Sequence, residues 1–201
     1  KAASIEHKKN GYHSGQYLAK ELIGPDTKLL ISFVDGLHTN GEDFLSGISS
    51  VNDNVIVAGG HAGDNNHFIK TFVFTKEHIC TQGAVAVTLN SRHLNVHKDY
   101  SFNWHPIGNE LTITKAEGNR IYTIDGRSAV DTYAYYLGED LAKGLPSIGI
   151  EFPLILNRHG SHISRVALAK EKDGSLIVAG NPYTGEKVRR SKWENLSYYF
   201  K

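Results

Sequence analysis

Residues 54–68, NVIVAGGHAGDNNHF, combine an apolar run with a polar loop that can bind a small ligand. The run at residues 55–58 is predicted to be a buried strand, and three glycines follow it within five positions. Glycine tolerates positive φ and close backbone approach, so N–H groups in such a loop can hold a carboxylate or phosphate. The side chains of His61 and Asp64 can orient or neutralise that ligand. The predicted binding glycines are Gly59, Gly60 and Gly63.

A tight turn is the alternative interpretation of residues 59–64, GGHAGD. In a turn, the glycines solve only a backbone problem, and Asp64 bonds its own loop. The segment lacks the GxGxxG spacing of a dinucleotide site and the Gly-Lys-Ser/Thr ending of a phosphate-binding P-loop. The sequence therefore leaves a turn and a ligand site both open.

The elements before this loop determine which other side chains reach it. Residues 28–36, KLLISFVDG, form an apolar run typical of a strand buried on both faces. Thr39 or Asn40 is predicted to cap a helix over residues 41–50, and strand, helix and strand together make a parallel βαβ unit. Ligands of parallel α/β units gather at the carboxyl ends of strands. We expect one crevice there, lined by Asp35, His38, His61 and Asp64.

Eleven histidines raise the question of a metal site. His93 and His97 are four residues apart, but HLNVH lacks the glutamate of an HExxH motif and lies in strand-like sequence, where ligands at this spacing do not converge. His159 and His162 flank a glycine and are typical of exposed or hydrogen-bonded histidines. The sequence therefore predicts no metal site and no cofactor.

Nucleophilic catalysis needs a nucleophile, a base and an oxyanion site. Cys80 lies in a strand-like run, HICTQ, typical of a buried inert thiol, and the GxSxG nucleophile motif is absent. A hydrolase with His61 or Asp35 as general base remains an alternative to a binding domain. Arg158 and Arg165 can clamp a carboxylate, although surface arginines are common.

The composition limits the class of partner. The chain has 201 residues, 40% of them hydrophobic, and its 22 basic and 21 acidic residues leave a net charge of +1. This balance predicts neither a nucleic-acid surface nor a polybasic membrane anchor, and no apolar stretch approaches the ~20 residues of a spanning helix. A single cysteine excludes an internal disulfide. The absence of methionine, even at position 1, indicates an excised or processed segment.

The remaining pattern predicts an α+β fold: a mixed, mostly antiparallel sheet with an initial βαβ unit and few flanking helices. Residues 1–10 are polar and expected to fray, and the tail from Arg189 is predicted to be a short helix or an edge strand. Helices are predicted at residues 15–23 and 128–137. Strands are predicted at residues 70–75, 84–89, 93–104, 109–114, 119–124, 151–157, 161–170 and 175–180. A linker or subdomain boundary is expected near residues 144–146.

The order of motifs resembles the N-terminal half of the FIST family. The motifs are NGYHSGQYLAKEL, VDGLHTNGEDFLSGI, VIVAGGHAGD, FIKTFVF, GAVAVTL and WHPIGNELTITKAEGNRIYTIDGRSAVDTYAYYLG. Residues 151–181 then resemble the opening of the FIST C-terminal half. The resemblance implies a FIST N-terminal-like domain over residues 10–144 and the start of a truncated C-terminal-like region over residues 145–201.

The resemblance also implies a function. FIST proteins are mostly bacterial sensory domains, found alone or ahead of modules such as histidine kinases, and amino acids have been suggested as their ligands. It implies a cytoplasmic, non-enzymatic input domain whose partners are a small-molecule ligand and an output signalling domain, in the same chain or in a partner protein. A protein-interaction scaffold that uses the aromatic tail, residues 193–200, is a further alternative.

Overall fold

The computed structural model describes residues 1–6, 10–65, 67, 69–99, 103–158 and 160–193, without the side chains of Lys192 and Trp193. It confirms the α+β class, with several sheets and few helices. The chain forms two compact units, Lys1–Asp99 and Tyr100–Lys201. The family boundary expected at residue 144 stays a prediction. No helix among the described residues combines the length and apolar character needed to cross a membrane.

The first unit is a four-stranded sheet with two helices and a separate two-stranded hairpin. Its elements are β1 (Ala2–Glu6), α1 (Gly11–Leu22), β2 (Thr27–Val34), α2 (Gly41–Ser49), β3 (Ile56–His61), β4 (Val73–Phe74), β5 (Ile79–Cys80) and β6 (Gly83–Asn90). The sheet order is β1-β6-β2-β3, and β4 pairs with β5. β2 and β3 are parallel, so the predicted βαβ unit is confirmed, and β3 is one of the two edge strands.

Two asparagines begin the helices of this unit. The Asn10 side chain accepts a hydrogen bond from the His13 amide at 3.0 Å, and Asn40 accepts from the Glu42 and Asp43 amides. Such caps satisfy amides that have no partner inside the helix. Of the two caps predicted for α2, the structure uses Asn40. The helices bury one face against the sheet, in a core that includes Leu18, Leu22, Leu30, Phe44, Ile48 and Ala84.

Three predictions for this unit were wrong. Residues 2–6, expected to fray, form β1, because they add an antiparallel edge strand to β6. Residues 93–99 form no strand, and residues 100–102 lie outside the described residues. The strand predicted over residues 70–75 shortens to Val73–Phe74. In each case the decisive factor was the presence or absence of a partner strand, which local pattern does not report.

The second unit contains most of the antiparallel pairing. Its elements are β7 (Trp104–Glu117), β8 (Arg120–Ile124), β9 (Arg127–Ser128), α3 (Ala129–Leu137), α4 (Glu139–Ala142), α5 (Ile148–Glu151), β10 (Leu154–Arg158), β11 (Ser161–Arg165), β12 (Ala167–Lys170), β13 (Leu176–Val178) and β14 (Lys187–Trp193). The strand order is β11-β10-β14-β7-β8-β13-β12, with β9 paired to β8. The predicted β7–β8 hairpin and the helix over residues 128–137 are confirmed.

The start of the tail differs from its prediction. β14 is neither a helix nor an edge strand, since it pairs with β10 on one side and β7 on the other. Val188 and Ser191 are buried there between charged neighbours, so the strand carries a weak hydrophobic pattern. The scaffold alternative falls on the Trp193 side chain and residues 194–200, which lie outside the described residues. The strand expected from residue 151 begins at Leu154, after α5.

The crossing of α1 and α2 depends on glycine. A Cβ on Gly15 would overlap the Phe44 carbonyl oxygen, and one on Gly47 would overlap the Tyr12 carbonyl oxygen. Alanine is the better helix former by about 1 kcal/mol, but overpacking costs about 1–3 kcal/mol. The crossing therefore needs these glycines despite their poor propensity.

We expect Gly15→Ala to lower the free energy of unfolding by about 2 kcal/mol, because the helices must separate to admit the methyl group. Urea unfolding measures the change. Ser46→Ala, at an exposed position of α2, is the matched control and should change stability by less than about 0.5 kcal/mol. A stabilising Gly15→Ala would show that the crossing relaxes freely.

Candidate functional site

A groove of about 250 Å³ opens in the first unit between the ends of β2 and β3 and the start of α2. Parallel strands of a βαβ unit end at the same edge, which is where ligands of such units bind. The lining is apolar on the helix side and glycine-rich on the β3 side. The lining residues are Ser32, Val34, Gly41, Phe44, Leu45, Val57, Ala58, Gly59, Gly60 and His61.

The glycines of β3 and the following loop serve different purposes. Gly59 has φ of +139°, and a Cβ built on it would overlap the Ser32 carbonyl oxygen. The backbone therefore requires glycine at this position, as the turn interpretation predicted. A Cβ on Gly60 or Gly63 would meet nothing within 4 Å. Steric contacts do not explain those two glycines, and Gly60 leaves the groove wall without a side chain.

His61 connects the last position of β3 with the start of α2. Its Nε2 lies 3.2 Å from the Thr39 carbonyl oxygen, which can only accept, so Nε2 carries the proton in this contact. A Cβ on Gly41 would lie 2.6 Å from the His61 ring, so the ring packs closely on the first residue of the helix. The imidazole remains exposed and lines the groove.

Asp35 lies behind the groove wall, fully buried. Its carboxylate accepts hydrogen bonds from the Thr71 hydroxyl at 2.8 Å and from the Leu37 and His38 amides at 3.1 and 2.8 Å. The His38 ring lies 3.1 Å from the same carboxylate. Burial alone would raise the pKa of Asp35, but these hydrogen bonds outweigh it and hold the pKa below its ordinary value. The carboxylate therefore organises the turn between β2 and α2.

Asp64 organises the loop that follows β3. Its Oδ2 accepts hydrogen bonds from the Ile69 and Lys70 amides at 2.6 and 3.1 Å. This is the contact with its own loop that the turn interpretation described. Neither Gly63 nor Asp64 lines the groove. Of the six predicted binding residues, the structure places Gly59, Gly60 and His61 together on the wall.

Sequence reasoning missed the apolar half of the groove. Val34, Phe44, Leu45 and Val57 line it, yet each has the residue type expected of a core position. Phe44 is buried and Leu45 is exposed, and the residue types of α2 alone do not show that both lie beside the cavity. Only the crossing of helix and sheet reveals that wall.

The start of α2 is unsuited to an anion, although helix N-termini often bind one. Asn40 already occupies the Glu42 and Asp43 amides, and the Phe44 amide donates to the Asn40 carbonyl oxygen. Glu42 and Asp43 also add two acidic side chains to the first turn. These contacts disfavour a bare phosphate and favour a ligand whose charge is balanced or absent.

The other candidate residues form no shared site. Exposed His93 and His97 belong to no group of three or more His, Cys, Asp or Glu able to hold a metal ion, within the part of the chain that the structure describes. His159 lies outside that part. Cys80 is buried, and burial together with the negative charge of Glu6 raises the pKa of its thiol. Its reactivity is therefore low.

The two arginines proposed as a clamp already have partners. The Arg158 guanidinium forms two hydrogen bonds with the Glu186 carboxylate, at 2.5 and 2.9 Å. Burial would raise the pKa of Glu186, but Arg158 and the Tyr183 amide hold it below its ordinary value. Buried Arg165 contacts the backbone carbonyl oxygens of Ser164 and Asn181.

The fold and the groove define an α+β domain with a cavity of ligand size at the carboxyl ends of two parallel strands. The chain matches the FIST N domain family over residues 1–127 and belongs to that family, which confirms the resemblance seen in its motifs. The family is associated with sensory signal-transduction proteins. No curated protein and no solved structure matches the chain. The resemblance of residues 151–181 to the C-terminal half stays a prediction.

Gly59 and Gly60 allow a paired test of the wall. We expect Gly59→Ala to lower the free energy of unfolding by about 2–4 kcal/mol, because the methyl group overlaps β2 and the φ is unfavourable. Gly60→Ala should change it by less than about 0.5 kcal/mol. Chemical unfolding of both variants measures the difference. Equal destabilisation would contradict the assignment of separate roles.

Replacing Asp35 by Asn should destabilise the first unit by about 2–3 kcal/mol at pH 7, because an amide group then faces hydrogen-bond donors. Asp26→Asn is the control, since Asp26 forms an exposed ion pair with Arg92. That pair should contribute less than about 1 kcal/mol. Comparable losses in the two variants, measured by urea unfolding, would exclude the organising role of Asp35.

The stability contributed by Asp35 should also depend on pH. Because its folded pKa lies below the ordinary value of 3.8, the contribution is complete above that value and is lost as the pH falls through the folded pKa. The stability difference between the native chain and Asp35→Asn should therefore shrink below pH 3.8. A difference that grows on acidification would contradict a lowered pKa.

Proposed function

We propose that this chain is the input domain of a signal-transduction protein and that the groove beside Gly60 binds its small-molecule ligand. The main observation behind the proposal is that the groove wall has no side chain at Gly60. A glycine that neither φ nor close approach requires lines a cavity at the strand end where ligands of βαβ units bind.

The lining supports a ligand with one polar and one apolar end. Val34, Phe44, Leu45 and Val57 form an apolar side, and the exposed imidazole of His61 supplies a polar group. Drug-sized ligands occupy cavities of about 300–1,000 Å³, so a groove of about 250 Å³ suits a smaller molecule. An amino acid has this size and carries balanced charge, which agrees with the acidic, capped start of α2.

The predicted residues outside the wall have supporting roles in this proposal. Asp35 holds the turn that leads into α2, and Asp64 closes the loop that follows His61. Gly63 belongs to the same loop. A ligand in the groove would contact Gly59, Gly60 and His61 directly.

Signalling requires that the ligand bind two states with different affinities. The groove is lined by β2, β3 and α2, so its ligand would bear on all three elements at once. A ligand that favours one position of α2 relative to the strands would shift the equilibrium of an output domain in the same chain or in a partner protein. A cytoplasmic location and a bacterial source belong to this proposal.

A thermal-shift screen of the common amino acids would test the groove. We expect a ligand that stabilises the native chain and loses at least about tenfold in affinity in Gly60→Val, because the new side chain changes the wall that Gly60 contributes to the groove. Gly63→Val is the matched control, since Gly63 has equal space around it but lies outside the lining. It should keep the native affinity.

Two outcomes would contradict the proposal. A confirmed ligand with the same affinity in folded Gly60→Val and in the native chain would place the site elsewhere. Turnover of ester or amide substrates that disappears in His61→Ala would favour the hydrolase alternative over a sensory domain.

A further inference from the structure

A second cavity lies inside the second unit, beneath α3. Its volume is about 60 Å³, which is room for roughly four water molecules. Most of its lining is aromatic or aliphatic. The lining residues are Ile107, Thr132, Tyr133, Tyr136, Leu137, Phe152, Leu154, Arg190 and Ser191.

Three of the four hydroxyl groups that line this cavity already have acceptors. Tyr133 donates to the Phe152 carbonyl oxygen at 2.9 Å, and Thr132 donates to the Ser128 carbonyl oxygen at 3.0 Å. Ser191 donates to the Pro153 carbonyl oxygen at 2.6 Å. The guanidinium of Arg190 and the Tyr136 hydroxyl are therefore the side-chain polar groups of the lining that remain available to a ligand, and only the guanidinium carries a charge.

Within the part of the chain that the structure describes, Arg190 is held in place without a carboxylate. Its guanidinium lies 3.9 Å from the centre of the Tyr136 ring, and on another side Gly108 leaves room for it, since a Cβ there would overlap Nη2. The Nε atom is buried and has no hydrogen-bond partner among the described residues. Arg120 and Arg158 of the same unit each form an ion pair, with Asp173 and Glu186.

We propose that this cavity binds a small monocarboxylate through Arg190, with the short aliphatic chain of the ligand among the aromatic side chains. Carboxylate oxygens match the guanidinium N–H groups, and a hydrogen bond to a charged group is among the stronger ones. One arginine balances one negative charge. The cavity volume and apolar lining suit a chain of about two to four carbons.

The proposal is independent of the groove in the first unit. The two cavities share no residue. The ligand proposed here is a monocarboxylate held by a cation, whereas the ligand proposed for the groove has balanced charge. Among the described residues the Arg190 guanidinium has no ion-pair or hydrogen-bond partner, so a carboxylate that reaches its terminal N–H groups adds charge-assisted hydrogen bonds that the protein does not supply. The stacking on Tyr136 positions the guanidinium before the ligand arrives, which lowers the ordering cost of binding.

Ligand-observed NMR with sodium butyrate tests the site at constant ionic strength. We expect millimolar binding to the 201-residue chain and no comparable binding of butyramide, which has the same shape without the charge. Arg190→Gln should weaken butyrate binding by about tenfold or more, because it removes the charge-assisted hydrogen bonds. Arg189→Gln is the matched control, since exposed Arg189 is the neighbour of Arg190 on β14, and it should bind as the native chain does.

Arg190→Lys keeps the positive charge but loses the planar guanidinium that binds a carboxylate through two N–H groups. It replaces Arg190→Gln in the test if that variant does not fold. We expect it to bind butyrate at least about threefold more weakly than the native chain. The proposal is overturned if butyramide binds as well as butyrate, or if the native chain binds neither. It is also overturned if the folded Arg190 variants keep the native affinity, or if Arg189→Gln loses as much affinity as Arg190→Gln.

Discussion

The buried carboxylate of Asp35 is the interaction on which the first unit depends most. It joins the end of β2, the turn that begins at Leu37 and the distant Thr71, whose hydroxyl also accepts from the Gly36 amide. A carboxylate with several donors fixes these segments far more rigidly than apolar contact does, because each hydrogen bond has a direction. The start of α2, and with it the surface on which the His61 ring rests, is therefore set by a side chain that is fully buried.

Much of the first unit was readable from local pattern. Two apolar runs separated by an amphipathic helix predict a parallel βαβ unit, and β2, α2 and β3 form one. The carboxyl ends of neighbouring parallel strands predict Asp35 in the crevice, whereas the folded chain buries its side chain completely. Gly59 and Gly60 are the same residue type at adjacent positions, so the sequence does not distinguish them. The structure does, because a Cβ would overlap β2 at Gly59 and would meet nothing at Gly60.

The second unit shows what local pattern leaves out. Four of the seven residues of β14 are charged, which is typical of a surface segment, yet the strand pairs with a neighbour on each side. Whether such a segment becomes a central strand depends on partner strands from distant parts of the chain. Arg190 of this strand lies against the Tyr136 ring of α3, a contact that the sequence around residue 190 does not indicate. Long-range pairing thus hides the candidate carboxylate cavity from sequence reasoning more completely than the glycine-rich groove.

At the adjacent glycines of β3, the stability of the fold and the shape of the groove depend on different residues. At Gly59 any side chain damages the fold, so this position is closed to change. At Gly60 a Cβ would meet nothing within 4 Å, so the position has room for a side chain. In the proposed ligand site, substitutions at Gly60 would therefore change the groove wall at little cost in stability. A lineage of such domains could acquire new ligands one residue at a time while the scaffold that reports them stays the same.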